Sequence, residues 1–421
     1  MRFDNLSGWL AWQESLHGQE IDMGLTRIRQ VAERMNLLSP AGQVVTVAGT
    51  NGKGSCVATL EALCIADGKS VGAFTSPHLF HYNERIRING KTASDEEICQ
   101  SFQRIDVARG DITLTYFEFG ALAAIDIFTR HQLDVLLLEV GLGGRLDAVN
   151  IIDADVAVVT SIALDHEAWL GSDRSVIGRE KAGIYRAGRP AICADIKAPE
   201  SVRQVALELG ADWHNVGDSF SWQECNGCWQ WRSGELQYLD LPIPQLPHPS
   251  VAAALFAYLQ LGFALPDVLP QIMADLKLPG RMQTVCCTGK SVILDVAHNP
   301  AAAGHLADYL NSKPVQGRTL ALVAMMADKD IAGVFQPLLD SVDVWHVSGL
   351  PGNDRAASAE ELRQTLSKLG VPASPWETVT VAIEQLLPTL EEADRLLVFG
   401  SFFTVADAQT ALDGVESQAN L

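Results

Sequence analysis

The chain has 421 residues, 48% hydrophobic and 19% charged, the balance of a folded globular protein and too apolar for a disordered one. At about 150 residues per domain, this length implies two large domains or three small ones. Lys and Arg number 31 against 51 Asp and Glu, a net charge of −20 that repels polyanions and excludes non-specific binding to nucleic acid or acidic membranes.

The opening stretch, MRFDNLSGWLAWQESLHG, has no basic region leading into an apolar run and a cleavage site, so an export signal is not expected. Apolar runs then recur, each followed by a segment of helical period. Those predicted as buried parallel strands are Val44 to Ala48, Val71 to Phe74, Val135 to Val140, Val156 to Ile162, Ala191 to Ala194, Val292 to Ala297, Leu320 to Met325 and Leu396 to Phe399. This alternation predicts an α/β protein with mostly parallel sheets. The most apolar stretch, Val251 to Leu265, is shorter than a bilayer span and contains Gln260. In LKLPGRMQ, Pro279 and Gly280 break a helical pattern that ends at Leu278, which places a boundary between a larger domain, 1–278, and a smaller α/β domain, 282–421. The final VESQANL is expected to fray.

Eight cysteines are scattered, with Cys56, Cys64, Cys99 and Cys193 in apolar segments where a thiol packs as a small hydrophobe. Reduced thiols and a soluble cytoplasmic protein are the expectation. Cys225 and Cys228 form the one C-x-x-C. With no second pair at zinc spacing, SWQECNGCWQW reads as a hairpin turning at Asn-Gly, ahead of a metal or redox site.

The strongest local signal is VVTVAGTNGKGSCVATLEAL. A β-branched run ends at Ala48, the loop Gly49, Thr50, Asn51, Gly52, Lys53, Gly54, Ser55 follows, and Val57, Leu60 and Leu63 mark one helix face. Strand, glycine loop and helix make a phosphate cradle: glycines let backbone N–H groups close on phosphate oxygens, the helix start adds positive potential, and Lys53 supplies a full charge. The fit to G-x-x-x-x-G-K-[ST] is imperfect, since Val47 stands in place of the first Gly and Gly54 separates Lys53 from Ser55. A helix-capping turn is the plainer alternative, and Lys53 tips the reading to phosphate.

A second signal is Glu139 inside the apolar DVLLLEV, costly to bury unless paired or metal-bound, at the carboxyl end of a strand where doubly wound sheets collect ligands. TSIALDH brings Asp165 and His166 to the same edge, TSPHL brings Ser76, and GREKAGIYR offers Lys181. Ser76, Glu139 and His166 suit a hard cation such as Mg²⁺. Each also has a structural reading, as turn, loop or solvated-helix residue. In the smaller domain, a strand ends at Asp295 with His298 and Asn299 on the next loop, Pro300 opens a helix, and Gly400 and Ser401 sit at another strand exit. Two such loop sets across a cleft would suit joining a nucleotide-activated group to a second substrate, although a purely structural second domain is the alternative.

Taken in order, GTNGKGS, SPHL, ERIRI, LEVGLGGRLDAVN, TSIALDH, EKAGI, LPGRMQ, DVAHNP and GSF closely resemble the folylpolyglutamate synthase family, and within it the bacterial members that also make dihydrofolate. The resemblance runs from IDMGLTRI to GSFFTVAD. It implies a Mur-ligase-like fold: a phosphate-loop NTPase-like domain with a mostly parallel sheet, a smaller Rossmann-like domain, and ATP with two Mg²⁺ in the cleft. It implies nucleotide contacts at Gly49 to Ser55, Arg281 and Asp295, and magnesium ligands at Ser76, Glu139, His166 and a carboxylated Lys181. Pterin and pteroate contacts fall at Asp22, Met23, Gly24 and Leu25, at Tyr116, Phe117 and Glu118, and at Arg145, Leu146 and Asp147. His298 and Ser401 fall near the incoming glutamate. Lys53, His166, Lys181, Asp295 and His298 are the residues implied for catalysis. One departure is Ser250 in PHPSVAAAL, where relatives carry an Asn that contacts the nucleotide; one hydroxyl cannot reproduce a two-sided amide contact.

The implied reaction is ATP-dependent addition of L-glutamate to dihydropteroate and to reduced folates through an acyl phosphate, by a cytoplasmic monomer. A folylpolyglutamate synthase without the first activity, a muramoyl-type amino-acid ligase and a non-catalytic phosphate-loop protein are the alternatives. Only 48 residues precede Gly49, too few for the uridine-nucleotide domain of a muramoyl ligase. The non-catalytic reading leaves Glu139, His166, Lys181 and DVAHNP without a role.

Overall fold

A computed structural model describes residues 2–419. The chain divides into two units, Met1–Leu276 and Lys277–Leu421. The first is built on an eight-stranded sheet ordered β4-β3-β2-β5-β1-β6-β7-β8. These strands are β1 (Gln43–Ala48), β2 (Val71–Phe74), β3 (Ile86–Ile88), β4 (Lys91–Thr92), β5 (Val135–Glu139), β6 (Val156–Val159), β7 (Pro190–Cys193) and β8 (Asp212–Asn215). From β2 to β8 the pairing is parallel, and β3 and β4 turn antiparallel at one edge. β5 is buried along its whole length, which explains why its sequence is a continuous apolar run rather than an alternating one.

Helices α1 (Leu6–Leu16), α2 (Thr26–Arg34), α3 (Lys53–Ala66), α4 (Asp95–Arg109), α5 (Tyr116–His131), α6 (Glu167–Leu170), α7 (Arg174–Ala182), α8 (Glu200–Leu209), α9 (His248–Gln260) and α10 (Leu269–Asp275) belong to the same unit. Ser94 and Thr115 start α4 and α5 with capping boxes closed by Glu97 and Glu118. Val57, Leu60 and Leu63 of α3 are all buried, as their spacing predicts. A second, three-stranded antiparallel sheet, β9 (Ser221–Cys225), β10 (Cys228–Ser233) and β11 (Leu236–Leu241), lays the fully buried Trp229 and Trp231 on one face, with Trp231 Nε1 donating to Ala252 O of α9 at 3.1 Å.

The second unit holds a six-stranded sheet ordered β12-β13-β17-β14-β15-β16. Its strands are β12 (Gln283–Cys287), β13 (Lys290–Asp295), β14 (Thr319–Val323), β15 (Val344–Ser348), β16 (Ala373–Trp376) and β17 (Arg395–Phe399), with β12 alone antiparallel. Helices α11 (Pro300–Ser312), α12 (Ile331–Phe335), α13 (Ala359–Lys368), α14 (Val379–Leu386) and α15 (Phe402–Ala419) complete it. Its core gathers Leu306, Val323, Phe335, Trp345 and Phe399.

Several expected bounds need correction: the strands predicted to Val140, Ala194, Ala297 and Met325 stop one or two residues earlier, at Glu139, Cys193, Asp295 and Val323. The strand predicted to Ile162 stops at Val159, because Thr160 and Ser161 turn their hydroxyls to the backbone of the loop after β1. The helix predicted to end at Leu278 ends at Asp275, where Leu276 is already extended. The tail expected to fray is helical as far as Ala419; Asn420 and Leu421 lie outside the described residues. The apolar stretch from Val251 lies largely in the buried helix α9, and among the described residues no helix is long and apolar enough to cross a membrane.

Candidate functional site

The site grows from the exit of β1. Gly49 has φ 150° and Gly52 φ 84°, conformations that side chains rarely adopt. Space closes the case for glycine: a Cβ on Gly49 would lie 1.9 Å from Thr160 Oγ1, and one on Gly52 would lie 2.2 Å from Ser250 Oγ. The loop is latched to the exit of β6. Asn51 N donates to Ser161 Oγ at 2.9 Å, Thr160 Oγ1 donates to Asn51 O at 2.7 Å, and Ala163 N donates to Thr50 Oγ1 at 3.0 Å. Gly52 caps α3, so Lys53, Gly54 and Ser55 form its first turn, where backbone N–H groups have no helical partner.

Two ammonium groups meet at this loop. Lys53 Nζ donates to Gly49 O at 3.1 Å and to Thr50 O at 3.3 Å, while Lys181 Nζ, from the last turn of α7, donates to the same Gly49 O at 3.1 Å. Lys181 is 4% exposed, and its pKa falls from 10.5 to about 7, first through burial and then through the Lys53 charge. Asp147 stands close by. It accepts from the N–H groups of Gly141, Leu142 and Val149, and burial nonetheless pushes its carboxyl up to about 6, against the pull of those bonds and of Lys53.

Glu139, the last residue of β5, is buried beside β1 with Val47 as its register partner. Ser76, two residues beyond β2, donates its N–H to Glu139 Oε2 at 3.2 Å. The contacts therefore bring Gly49, Lys53, Lys181 and Asp147 together at the carboxyl ends of β1 and β5, with Ser76 on Glu139 beside them. His166 is exposed at the head of α6 with φ 53°, its N–H on Asp165 Oδ1 at 2.8 Å, and the charge of Asp165 is felt by Lys181. Among the described residues no three His, Cys, Asp or Glu side chains are grouped to hold a metal. The oxygen donors present are of another kind: the Glu139 carboxylate and Ser55 Oγ, a buried hydroxyl with no hydrogen-bond partner in the first turn of α3. That orphaned hydroxyl lies one residue beyond the place after the lysine where a phosphate loop puts its magnesium-binding Ser or Thr, and with the Glu139 carboxylate it supplies oxygen donors of the kind a hard divalent cation takes.

A second cluster lies around α2 and α5. Arg27 bridges Asp22 (Nη1 to Oδ2, 2.5 Å) and Glu118 (Nη2 to Oε1, 3.2 Å), and His17 Nε2 is 3.1 Å from Asp22 Oδ2. Burial raises the Glu118 carboxyl above its usual range, opposed by its bonds to Thr115 and by Arg27. Tyr116 stands edge-on to Tyr82 at 5.6 Å, and Phe117 lies 5.6 Å from Phe74 and against the backbone of Gly141. Met23, Gly24, Leu25 and Leu146 are half-buried, with Met23 and Leu25 packed on the core. Arg145 pairs with Glu180 at 3.0 Å, next to Lys181 in sequence.

In the second unit Asp295 ends β13 and accepts from Met282 N and Ala297 N, both at 2.8 Å; burial raises its carboxyl, opposed by Arg281. His298 Nδ1 donates to Val296 O at 2.8 Å, which fixes that nitrogen as the protonated one. Asn299 caps α11, with Pro300 at its first position as predicted, and Ser401 Oγ lies 2.7 Å from Thr404 Oγ1.

Sequence reading missed the residues that hold these groups. Thr160 and Ser161 were signalled by the TS pair leaving an apolar strand. Arg87 of β3 grips Glu61 of α3 and donates to Thr75 Oγ1 at 3.0 Å, which fixes the exit of β2 beside Ser76; a charged residue in a three-residue strand carries little apolar pattern.

Comparison with known proteins covers nearly the whole chain. Residues 280–402 match the family model described as Mur ligase, glutamate ligase domain. The dihydrofolate synthase/folylpolyglutamate synthase of Escherichia coli (strain K12) is 44% identical across 98% of this chain and 96% of its own length. A solved E. coli FolC in complex with DHPP and ADP is similar with a TM-score of 0.93, 44% identity and 98% coverage of both chains. The Yersinia pestis bifunctional folylpolyglutamate synthase/dihydrofolate synthase complexed with AMPPNP and Mn ion reaches 0.93 at 46% identity, covering 98% of this chain and 99% of that one. With this identity over nearly its full length, the Mur-type glutamate ligase domain and a shared two-domain fold, the chain belongs to the dihydrofolate synthase/folylpolyglutamate synthase family of ATP-dependent ligases.

Proposed function

We propose that the chain joins L-glutamate to dihydropteroate, forming dihydrofolate, and to reduced folates, forming folylpolyglutamates, through an acyl phosphate. The observation that carries this reading is the pair of ammonium groups, Lys53 and Lys181, directed at one loop carbonyl beside the unpartnered Ser55 hydroxyl. As free amines the two concentrate positive charge at one carbonyl, and with Lys181 carboxylated Lys53 at the glycine loop still calls for an anion. A triphosphate laid along Gly49 to Ser55 supplies it.

In this reading Lys53 and the N–H groups of the first turn of α3 hold the phosphates and offset the repulsion between the attacking carboxylate and the γ-phosphate. Ser55, Ser76, Glu139, His166 and Lys181 in carboxylated form would hold divalent magnesium, which when bound polarises phosphoryl oxygens. Carboxylation has a physical rationale: an amine must be neutral to add CO₂, and a pKa of about 7 leaves Lys181 half neutral at pH 7. The product carries a negative charge, which turns the repulsion from Lys53 into attraction. Asp22 to Leu25, Tyr116 to Glu118 and Arg145 to Asp147 receive the pterin and pteroate parts. Ser250 and, from the second unit, Arg281 and Asp295 serve the nucleotide, and His298 and Ser401 serve the incoming glutamate.

We assign the protein to the cytoplasm as a monomer, a reading supported by Cys56, Cys64, Cys99 and Cys193, all buried as free thiols, and by a separate apolar core in each unit. The test is phosphate release from ATP with dihydropteroate, with and without L-glutamate. Release coupled to dihydrofolate formation is expected; release independent of both substrates overturns the ligase reading. Replacing dihydropteroate by tetrahydrofolate separates the bifunctional enzyme, active on both, from one that only lengthens folates.

A further inference from the structure

The ligase reading leaves Cys225 and Cys228 without a role. Between them Asn226 has φ 54° and Gly227 φ 77°, the two left-handed residues of a tight hairpin turn. The ladder then sets Cys225 directly opposite Cys228. Opposed residues of an antiparallel pair lie about 4.5–5.5 Å apart at Cα and share a face, inside the roughly 4.4–6.8 Å that a disulfide spans. That side chains meet across this face is visible two positions along, where Gln223 and Gln230 oppose each other and join by a 2.8 Å hydrogen bond. Trp229 and Trp231 take the other, buried face against α9, so the two thiols lie on the outward one, both partly exposed and both reduced. Of the remaining cysteines Cys56, Cys64, Cys99, Cys193 and Cys287 are buried; Cys286 is exposed, but its neighbour Cys287 points to the opposite face of β12.

We propose that Cys225 and Cys228 are a reversible dithiol–disulfide site whose oxidant is a low-molecular-weight disulfide of the glutathione type. One cysteine thiolate attacks a sulfur of glutathione disulfide, forming a mixed disulfide and releasing one glutathione thiolate. The opposed thiolate then attacks the protein sulfur of that bond, forming Cys225–Cys228 and releasing the second glutathione. Two cysteine thiols are oxidised, one glutathione disulfide is reduced to two thiols, and the two protons pass to the departing thiolates. The enclosed loop is so short that the crosslink removes little entropy from the unfolded chain, which makes the bond a poor staple. Its exposure makes it the readily reduced kind. The hairpin is itself tied to α9, with Glu224 3.2 Å from His248 Nδ1 and Trp222 edge-on to the same ring at 5.1 Å.

The experiment incubates the full chain with glutathione disulfide, alkylates free thiols, and maps the peptides by mass. The peptide holding both cysteines is expected to be two hydrogens lighter, to resist alkylation, and to return to two alkylatable thiols after dithiothreitol. In Cys228→Ser, Cys225 is expected to keep a glutathione adduct, because nothing resolves it. Complete alkylation of both cysteines after incubation, or a lasting glutathione adduct on either one in the unsubstituted chain, would overturn the proposal.

Discussion

Both units end buried parallel strands in polar loops that start helices, and the two loops differ in how far their polar groups are satisfied from within. At the ends of β13 and β17, Asp295 is met by two backbone N–H groups, His298 has its Nδ1 proton on a carbonyl, and Ser401 is joined to Thr404. At the end of β1, two lysines share one carbonyl and a buried serine hydroxyl has no partner, while Asp147 nearby, like Asp295, is raised by burial despite its N–H bonds. The same strand–loop–helix grammar thus yields one loop that largely satisfies itself and one whose charges make sense with an anion in place. The contrast points to the first loop as the centre of the chemistry.

The sharpest way to break that contrast is Lys53→Ala. Loss of about a thousand-fold or more in glutamate ligation is expected, on the scale of removing a key charge-stabilising donor, with the melting transition retained because Lys53 is only half-buried. Near-normal turnover would remove the loop from the mechanism. Next comes Lys181→Met. Activity should fall by about a hundred-fold with the carboxylated lysine gone, as for a lost group that holds or orients a metal, and a carbamate resonance seen by carbon-13 NMR with labelled bicarbonate should vanish. Stability gives an independent check. In protein freed of CO₂, where Lys181 is a bare amine held near 7 when folded and at 10.5 when unfolded, the unfolded chain binds more protons between those values. Its contribution is complete above 10.5 and is lost as pH falls through 7, so urea midpoints should rise with pH across this window less steeply in the variant than in the parent.

Much of this organisation is legible in the sequence because it rests on burial. Eight apolar runs lie in strands, since parallel strands covered on both faces cannot hide their composition. The strands that escaped detection sit at edges or carry polar residues: Arg87 in β3, the exposed pair of β4, Asp212 and His214 in β8, His346 in β15, and Pro375 in β16, which an edge strand tolerates. Lys53 was visible as the charge in a glycine loop between strand and helix, and Glu139 as a charge in an apolar run. Their supports were not, because the latching of Thr160 and Ser161 onto the loop after β1, or of Arg87 onto Glu61, depends on strand order rather than on neighbours along the chain.

Two smaller predictions sharpen the comparison from the other side. In the second unit Asp394 is buried and accepts from Arg318 N at 2.7 Å, from Arg318 Nη2 at 2.7 Å and from Glu391 N at 3.1 Å. Asp394→Ala should therefore cost about 1–3 kcal/mol in urea unfolding, with nucleotide affinity unchanged. Ser250→Asn places a two-sided amide next to Gly52 and should tighten nucleotide binding by about five-fold, the worth of one net hydrogen bond, in a titration with a non-hydrolysable triphosphate.

The most direct test is a crystal structure of this chain soaked with magnesium and an adenosine triphosphate analogue. Phosphate density along Gly49 to Ser55, with Lys53 Nζ turned from the Gly49 carbonyl onto a phosphate oxygen, is the result expected. A bound nucleotide lying elsewhere, with that loop bare and Lys53 still on its carbonyl, would contradict it.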